Sequence, residues 1–255
     1  MISSGFIDKK AASSQIDRYT IIREYTQLLF LRCFYEVHHK VKFYFKGGTA
    51  IRFLFNSFRF SADLDFTCVG SANEIAGSIE NLLPGLEAES GFTILVKDEK
   101  MFKETGFSCR LVLQPAGIIR RPMGIRLDFS FREKPLEPEV SPIAVYDYPV
   151  SPLPLVMHLS KNEILAEKAR ALITRKTPRD LFDLWFLLKQ GSEPDWNLIA
   201  EKMKVYPGEP YNRNILRQKI ERFKTNDLRR DLNRFLPASY RDVYPKLLKE
   251  VLELL

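Results

Sequence analysis

The sequence predicts an α+β protein in which a mixed β-sheet with helices is followed by a mainly helical C-terminal lobe. Short apolar and aromatic runs alternate with helical segments over residues 1–154. A proline-rich passage at 135–154 marks a lobe boundary, and segments of helical periodicity fill the rest of the chain. We therefore expect two lobes, 1–154 carrying the sheet and 155–255 carrying helices.

The elements of the N-terminal lobe follow from local periodicity. Apolar residues at helical spacing predict an amphipathic helix from Gln15 to Val37. The aromatic run Phe43–Phe45 indicates a strand that ends at a double glycine, and helical character resumes at 50–55. The other predicted elements of this lobe are a helix at 73–83 and strands at 64–68, 92–97, 107–113 and 124–131.

The C-terminal lobe is predicted to be mainly helical. The predicted helices are 164–175, 178–189, 197–204, 213–223, 227–235 and 241–255.

The composition excludes several classes of protein. At 45% hydrophobic and 28% charged over 255 residues, the chain resembles a soluble globular protein. Cys33, Cys68 and Cys109 form no CxxC pair, and His38, His39 and His158 match no metal-ligand spacing, so neither a disulfide framework nor a zinc module is predicted.

Targeting and charge restrict the location and the partners. No apolar run approaches the ~20 residues that span a bilayer, and the N-terminus lacks a signal core, so we expect a cytoplasmic protein that does not bind membranes. The net charge of +7 favours a polyanionic partner such as nucleic acid or a nucleotide.

The segment that most strongly indicates a functional site begins at a double glycine. Gly47 and Gly48 follow a predicted strand and precede a predicted helix. Glycines let backbone amides approach a ligand closely, and a helix that begins there directs its positive end at an anion. This arrangement suits a phosphate group.

Two aspartates follow within twenty residues of the glycines. Asp63 and Asp65 are two apart on a predicted strand, so both side chains project from one face while Leu64 and Phe66 anchor the other. Adjacent carboxylates repel each other unless a cation lies between them, and oxygen ligands suit Mg²⁺ or Mn²⁺.

The alternation of apolar and polar residues along a later predicted strand indicates a third candidate carboxylate. Ile125, Leu127 and Phe129 alternate with polar residues, which places Asp128 on the open face. Phosphoryl transfer needs metal ions that neutralise a triphosphate and activate an attacking oxygen, and two-metal sites usually contain a third carboxylate.

Two segments carry a family resemblance. KGGTAIRFLFNSFRFSADLDF resembles the signature of the AbiEii/AbiGii toxin family, nucleotidyltransferases with a polymerase-β-like fold. ILAEKARALITRKTPRDLFDLWFLL is similar to that family's second pattern, and the match extends over roughly Phe43 to Leu188. The resemblance implies a polymerase-β-like core in 1–154 and a helical lobe in 155–255 that completes the nucleotide site.

In the first segment, the resemblance implies that Gly47, Gly48 and Thr49 form the loop that binds the nucleotide phosphates. Ser61 matches the family serine ahead of the first aspartate, and Arg59 matches a flanking basic position.

The same resemblance implies that Asp63 and Asp65 are metal ligands, for Mg²⁺ or Mn²⁺. It makes Asp128 the third carboxylate, which helps to activate the acceptor.

In the second segment, Lys168 matches the lysine expected to contact the nucleotide's phosphates, and Arg179 matches another basic position. Asp180 and Asp183 share a helix face, and one of them should be the functional acidic residue. Asp180 also has an explanation that needs no catalytic role, because a carboxylate in the first turn of a helix interacts favourably with the helix dipole. Asp183 is preferred, because it is flanked by large apolar residues.

The last part of the chain is rich in basic residues. Either these form a solvated helix face, which is the commoner case, or they contact the phosphates of a tRNA-sized substrate. The basic residues concerned are Arg213, Arg217, Lys219, Arg222, Lys224, Arg229, Arg230 and Arg234.

The leading hypothesis is transfer of a nucleoside monophosphate from an NTP to an acceptor hydroxyl, with release of pyrophosphate. The resemblance implies an RNA acceptor, the 3′ end of tRNA, and a toxin opposed by a separately encoded antitoxin. The alternatives are a small-molecule (antibiotic-type) nucleotidyltransferase of the same fold and a catalytically silent nucleotide-binding protein. Self-modification at Ser61 is a minor alternative.

Overall fold

The computed structural model describes residues 1–37, 41–103, 105–115 and 117–255. His38 and His39, which directly follow the predicted helix Gln15 to Val37, lie outside these residues. The chain divides into two compact units. The first comprises Met1–Asn56 and Phe60–His158, and the second comprises Ser57–Arg59 and Leu159–Leu255.

A seven-stranded mixed sheet organises the first unit and confirms the predicted fold class. The strands are β1 (Lys42–Lys46), β2 (Asp63–Val69), β3 (Ile94–Met101), β4 (Gly106–Leu113), β5 (Met123–Ser130), β6 (Pro138–Pro142) and β7 (Leu155–Leu159). Their order across the sheet is β3-β4-β5-β2-β1-β7-β6. Strand β2 is parallel to β5 and antiparallel to β1, which brings the two predicted aspartate strands side by side.

The described residues of the same unit also form α-helices. They are α1 (Ser4–Ser13), α2 (Arg18–Glu36), α3 (Gly47–Phe55) and α4 (Ile75–Ser90), and a 3-10 helix (Ala72–Glu74) precedes the last. Helix α2 begins after Asp17, whose carboxylate accepts a hydrogen bond from the amide of Thr20 at 3.0 Å.

Aromatic packing fixes one face of the sheet. Phe34 of α2 contacts the rings of Phe43, Phe66 and Phe129, which come from β1, β2 and β5. Phe66 and Phe129 are register partners and stack at 5.1 Å between ring centroids. Because side chains alternate along a strand, burial of these rings turns their polar neighbours to the opposite face.

The second unit contains the predicted helices of the C-terminal lobe. They are α5 (Lys161–Thr174), α6 (Pro178–Lys189), α7 (Trp196–Met203), α8 (Arg213–Glu221), α9 (Thr225–Leu232) and α10 (Tyr244–Leu254), with a 3-10 helix at Ala238–Val243. Lys202 of α7 is 1% exposed and pairs with Glu163 at 2.6 Å and Glu167 at 3.3 Å, both on α5. This buried ion cluster joins α7 to α5.

The structure contains elements that the sequence did not predict. These are α1, β6 and β7, and α4 also continues through Pro84 to Ser90, where the sequence predicted an end at residue 83. Strand β6 begins and ends at a proline and lies at an edge of the sheet, where a missing amide donor is tolerated. Over the described part of the chain, no helix has the length and apolarity needed to cross a bilayer.

Candidate active site

The double glycine forms the first turn of helix α3. Gly47 adopts φ +79°, a left-handed conformation that favours glycine. A β-carbon added there would lie 3.0 Å from Cγ of Asp65 and closer still to its Oδ2. The Asp65 carboxylate therefore lies against the start of α3, where the first backbone amides of a helix have no partners within the helix.

The three candidate carboxylates share one face of the sheet. In the β2–β5 register, Asp65 is opposite Asp128 and Asp63 is opposite Arg126. All three aspartates are partly exposed, whereas Leu64, between the first two, is fully buried. Partners on adjacent strands project to the same side, so the predicted grouping of Asp65 with Asp128 is a feature of the fold.

Thr49 and Ser61 hold the surrounding backbone. The Thr49 hydroxyl is buried and donates a hydrogen bond to the main-chain oxygen of Asp63, which ties α3 to the start of β2. The main-chain oxygen of Ser61 accepts a hydrogen bond from the side chain of Gln27 at 3.3 Å.

Arg126 is a cation that the sequence interpretation missed. Its Nε lies 2.7 Å from Oδ2 of Asp128, and its Nη2 donates to Oδ1 at 2.9 Å. The hydrogen bonds to Asp128 are the main cause of a raised pKa of Arg126, and the charges of Asp63 and Asp65 add to it. The alternation that selected Asp128 could have revealed Arg126, since residues two apart on a strand share a face.

The donor set fits a divalent cation by its chemistry. Carboxylate oxygens are the ligands that Mg²⁺ and Mn²⁺ prefer. Among the residues that the structure describes, however, no three Asp, Glu, His or Cys side chains are grouped closely enough to hold a metal ion. Both oxygens of Asp128 contact Arg126, so Asp128 would have to exchange this partner to join Asp63 and Asp65.

A second cluster of predicted residues lies in the second unit. Arg59 binds both carboxylate oxygens of Asp183, at 2.8 Å and 2.9 Å. Lys168 lies 2.8 Å from Asp183 and 2.9 Å from Asp180, and Arg175 also binds Asp180. Asp183 is 0% exposed, Arg59 2% and Asp180 3%.

Mutual charge keeps Lys168 and Asp180 ionised. Burial alone would lower the pKa of Lys168, but Asp180 and Asp183 raise it above its ordinary value. Burial alone would raise the pKa of Asp180, but Lys168 and Arg175 lower it below its ordinary value. The raised pKa keeps Lys168 protonated at neutral pH, so it is suited to binding an anion and unsuited to accepting a proton.

Similarity to known proteins identifies the family. The model of the nucleotidyl transferase AbiEii toxin family, of type IV toxin–antitoxin systems, matches residues 29–253. The chain belongs to the AbiEii family. The resemblance seen in the two sequence segments is thereby confirmed, and the protein is a nucleotidyltransferase. The family implies an NTP substrate and an antitoxin partner.

Solved structures agree with this AbiEii assignment at the level of the fold. MenT4, a nucleotidyltransferase toxin of Mycobacterium tuberculosis H37Rv, superposes with a TM-score of 0.68 at 16% identity, covering 100% of this chain and 89% of its own. JHP933 from Helicobacter pylori gives a TM-score of 0.56 at 19% identity, covering 94% and 91%. Among curated protein sequences, none matches this chain.

The predicted residues of this AbiEii protein thus fall into two groups. The first unit brings the turn at Gly47 together with Asp63, Asp65 and Asp128. The second unit brings together four others, namely Arg59, Lys168, Asp180 and Asp183. Arg179 is not part of that cluster, because it pairs with Asp231 at 3.3 Å.

Proposed function

We propose that this AbiEii protein transfers a nucleoside monophosphate from an NTP to a hydroxyl group of RNA, at the 3′ end of tRNA, with Mg²⁺ or Mn²⁺ as cofactor. The acceptor oxygen forms a bond to the α-phosphorus, the bond to the β-phosphate bridging oxygen breaks, and pyrophosphate leaves. The observation that carries the proposal is the contact of the Asp65 carboxylate with Gly47 at the start of α3, in register with Asp128.

In the first unit, Asp63 and Asp65 are the proposed metal ligands, and Asp128 is the group that accepts the proton of the acceptor hydroxyl. A bound divalent ion would neutralise the triphosphate and stabilise the leaving pyrophosphate. The first-turn amides of α3, from Gly47 to Thr49, are proposed to donate hydrogen bonds to the phosphates, as helix N-termini do for anions.

In the second unit, we assign Lys168 to contact with the nucleotide phosphates. This role rests on the family pattern and on the charge that Asp180 and Asp183 maintain on the ammonium group. Asp183 is completely buried and bound by both Arg59 and Lys168, which favours a positioning role for it. Asp180 also accepts a hydrogen bond from Lys168, at 2.9 Å.

The choice of RNA as acceptor, and of a separately encoded antitoxin as partner, is supported by the family and by the net charge of +7. The name of MenT4 describes that protein as a nucleotidyltransferase toxin.

Transfer of label from each α-labelled NTP to total RNA tests the proposal. The Asp65→Ala variant should lose at least about a hundredfold in rate while its melting temperature stays within a few degrees, because removal of one of two adjacent anions relieves repulsion. Glu99→Ala, an exposed carboxylate on β3, is the control and should remain active.

Three other results would each contradict the proposal. Label on small hydroxylated compounds in place of RNA would show a small-molecule transferase. NTP binding with no transfer would show a silent binding protein. Label on the chain itself, located at Ser61 by mass spectrometry, would show self-modification.

A further inference from the structure

Among the residues that the structure describes, four basic side chains and no acidic one line a cavity of about 190 Å³ in the second unit. Arg175 and Lys176 come from the segment after α5, and Lys219 and Arg222 come from the end of α8. We infer that this cavity binds a backbone phosphate of a single-stranded polynucleotide. That this polynucleotide is the acceptor strand rests on the proposed function, whereas the binding of a polynucleotide in the cavity does not.

Carboxylates of the fold neutralise two of the four cations that line the cavity. Arg175 pairs with Asp180, and Lys176 pairs with Asp227 at 3.2 Å. Within the described ranges, Lys219 and Arg222 have no ion-pair partner. A cation near the C-terminal end of a helix is favourable, but here two helix ends contribute four cations to one small space, where they repel each other. An anionic ligand would relieve this repulsion.

The segment that supplies Lys219 and Arg222 is rich in basic residues beyond the cavity lining. Residues 213–234 contain eight basic and three acidic side chains, a net charge of +5 within a chain of net charge +7. The exposed members of this basic group are Arg213, Arg222, Lys224, Arg229, Arg230 and Arg234. Cations spread over α8, α9 and the residues that follow each helix match the repeated phosphates of a strand better than a single phosphate or sulfate ion.

The lining of the cavity favours a phosphate over a base. Phe223 forms an apolar wall but is only 4% exposed, with Lys176 5.4 Å from its ring centroid, so the ring is packed and offers no free face for stacking. Four cations supply attraction without a pattern of donors and acceptors that would distinguish bases. Binding should therefore depend on salt and show little sequence preference.

The cavity adjoins the Lys168 cluster through a shared arginine. Arg175 lines the cavity, and its Nε donates to Asp180 at 2.9 Å. The other oxygen of Asp180 accepts from Lys168, also at 2.9 Å. A strand held in the cavity would thus pass next to the cluster to which the proposed function assigns the nucleotide phosphates.

Fluorescence anisotropy with a labelled single-stranded RNA of about twenty nucleotides, without NTP or metal, tests the inference. The Lys219→Glu/Arg222→Glu variant should bind at least about tenfold more weakly, and its slope of log K against log salt should fall by about 1.4 if two phosphate contacts are lost. Lys246→Glu/Lys249→Glu on α10, exposed and with the same change of charge, should stay within about threefold of the wild type.

Equal weakening in both variants would show that only diffuse charge matters and would overturn the inference, as would unchanged RNA binding by the first variant. Loss of NTP binding with RNA binding intact would overturn it too. Lys219→Gln/Arg222→Gln replaces the charge reversal if that variant fails to fold. An inactive wild-type protein in the transfer assay would contradict the proposed function alone, because anisotropy requires no turnover.

Discussion

Arg126 holds both oxygens of Asp128, at 2.7 Å and 2.9 Å, although the two residues are only two positions apart on strand β5. The negative charges of Asp63 and Asp65 also raise the pKa of the Arg126 guanidinium. The chain thus supplies a cation of its own to the carboxylate group that we propose to bind a divalent metal. A metal ion and Arg126 would compete for Asp128.

Arg126→Ala should therefore bind Mn²⁺ more tightly than the wild type in the absence of nucleotide. A neighbouring charge that is partly screened by solvent contributes about 1 kcal/mol, which corresponds to roughly a fivefold change in affinity. Titration followed by electron paramagnetic resonance measures this without any turnover. Arg110→Ala is the control, because Arg110 is the register partner of Arg126 on β4 but pairs with Asp98. Unchanged or weaker Mn²⁺ binding by Arg126→Ala would contradict competition.

Gly47→Ala should lower transferase activity at least about tenfold. The new methyl group would displace the Asp65 carboxylate, and the left-handed backbone at φ +79° costs an alanine about 1–2 kcal/mol. Pyrophosphate release and thermal unfolding, measured side by side, check both effects. Gly77→Ala is the control because a β-carbon there meets nothing within 4 Å, and it should stabilise α4 by about 0.5–1 kcal/mol. Full activity in Gly47→Ala would show that the close contact with Asp65 is dispensable.

The sequence was sufficient to predict the polar face of the sheet. Alternation along the strands placed Asp63, Asp65 and Asp128 opposite apolar neighbours, and the structure has them in that arrangement. Alternation assigns a side chain to a face, but it does not assign a register or a partner. The pairing of Asp65 with Asp128 depends on β2 lying beside β5, which local sequence does not specify. The ion pair of Arg126 with Asp128 lies within β5, where alternation shows only that the two side chains share a face.

Sequence periodicity could not predict the long-range ion pairs of the second unit. Large apolar neighbours made Asp183 an improbable surface residue, and it is completely buried. Its partner Arg59 lies 124 positions earlier in the chain, in a three-residue segment, Ser57–Arg59, that belongs to the second unit. No periodic pattern relates residues so far apart, so only the fold could identify this pair.

Arg59→Met should destabilise the protein by on the order of 3 kcal/mol, because it removes one of two cations from a buried carboxylate. The double variant Arg59→Met/Asp183→Leu should lose less than the sum of the single variants, since it leaves no unpaired charge at this pair. Urea denaturation measures all three. Arg179→Met, which breaks the partly exposed pair with Asp231, should cost at most about 1 kcal/mol. Strictly additive effects would contradict a direct Arg59–Asp183 interaction.

Asp180 should make stability depend on acid pH. Burial alone would raise its pKa, but Lys168 and Arg175 lower it below the ordinary value. A carboxyl group whose pKa is lower in the folded state stabilises the protein above its unfolded pKa, about 3.9, and this contribution is lost as the pH falls through the folded value. Asp180→Asn should therefore be less stable than the wild type at pH 7, and the difference should shrink below about pH 4.

Urea unfolding at pH 7, 5, 4 and 3 measures this difference, and Glu209→Gln, an exposed carboxylate of the same unit, should show no such dependence. If the difference in free energy of unfolding between the wild type and Asp180→Asn stayed constant down to pH 3, the carboxylate charge of Asp180 would not be what stabilises the Lys168 cluster. A closing gap, together with weakened NTP binding by Asp180→Asn at pH 7, would indicate that the same charge also keeps Lys168 in position for its proposed phosphate contact. Asp180 would then be a positioning residue, since its oxygens bind Lys168 and Arg175.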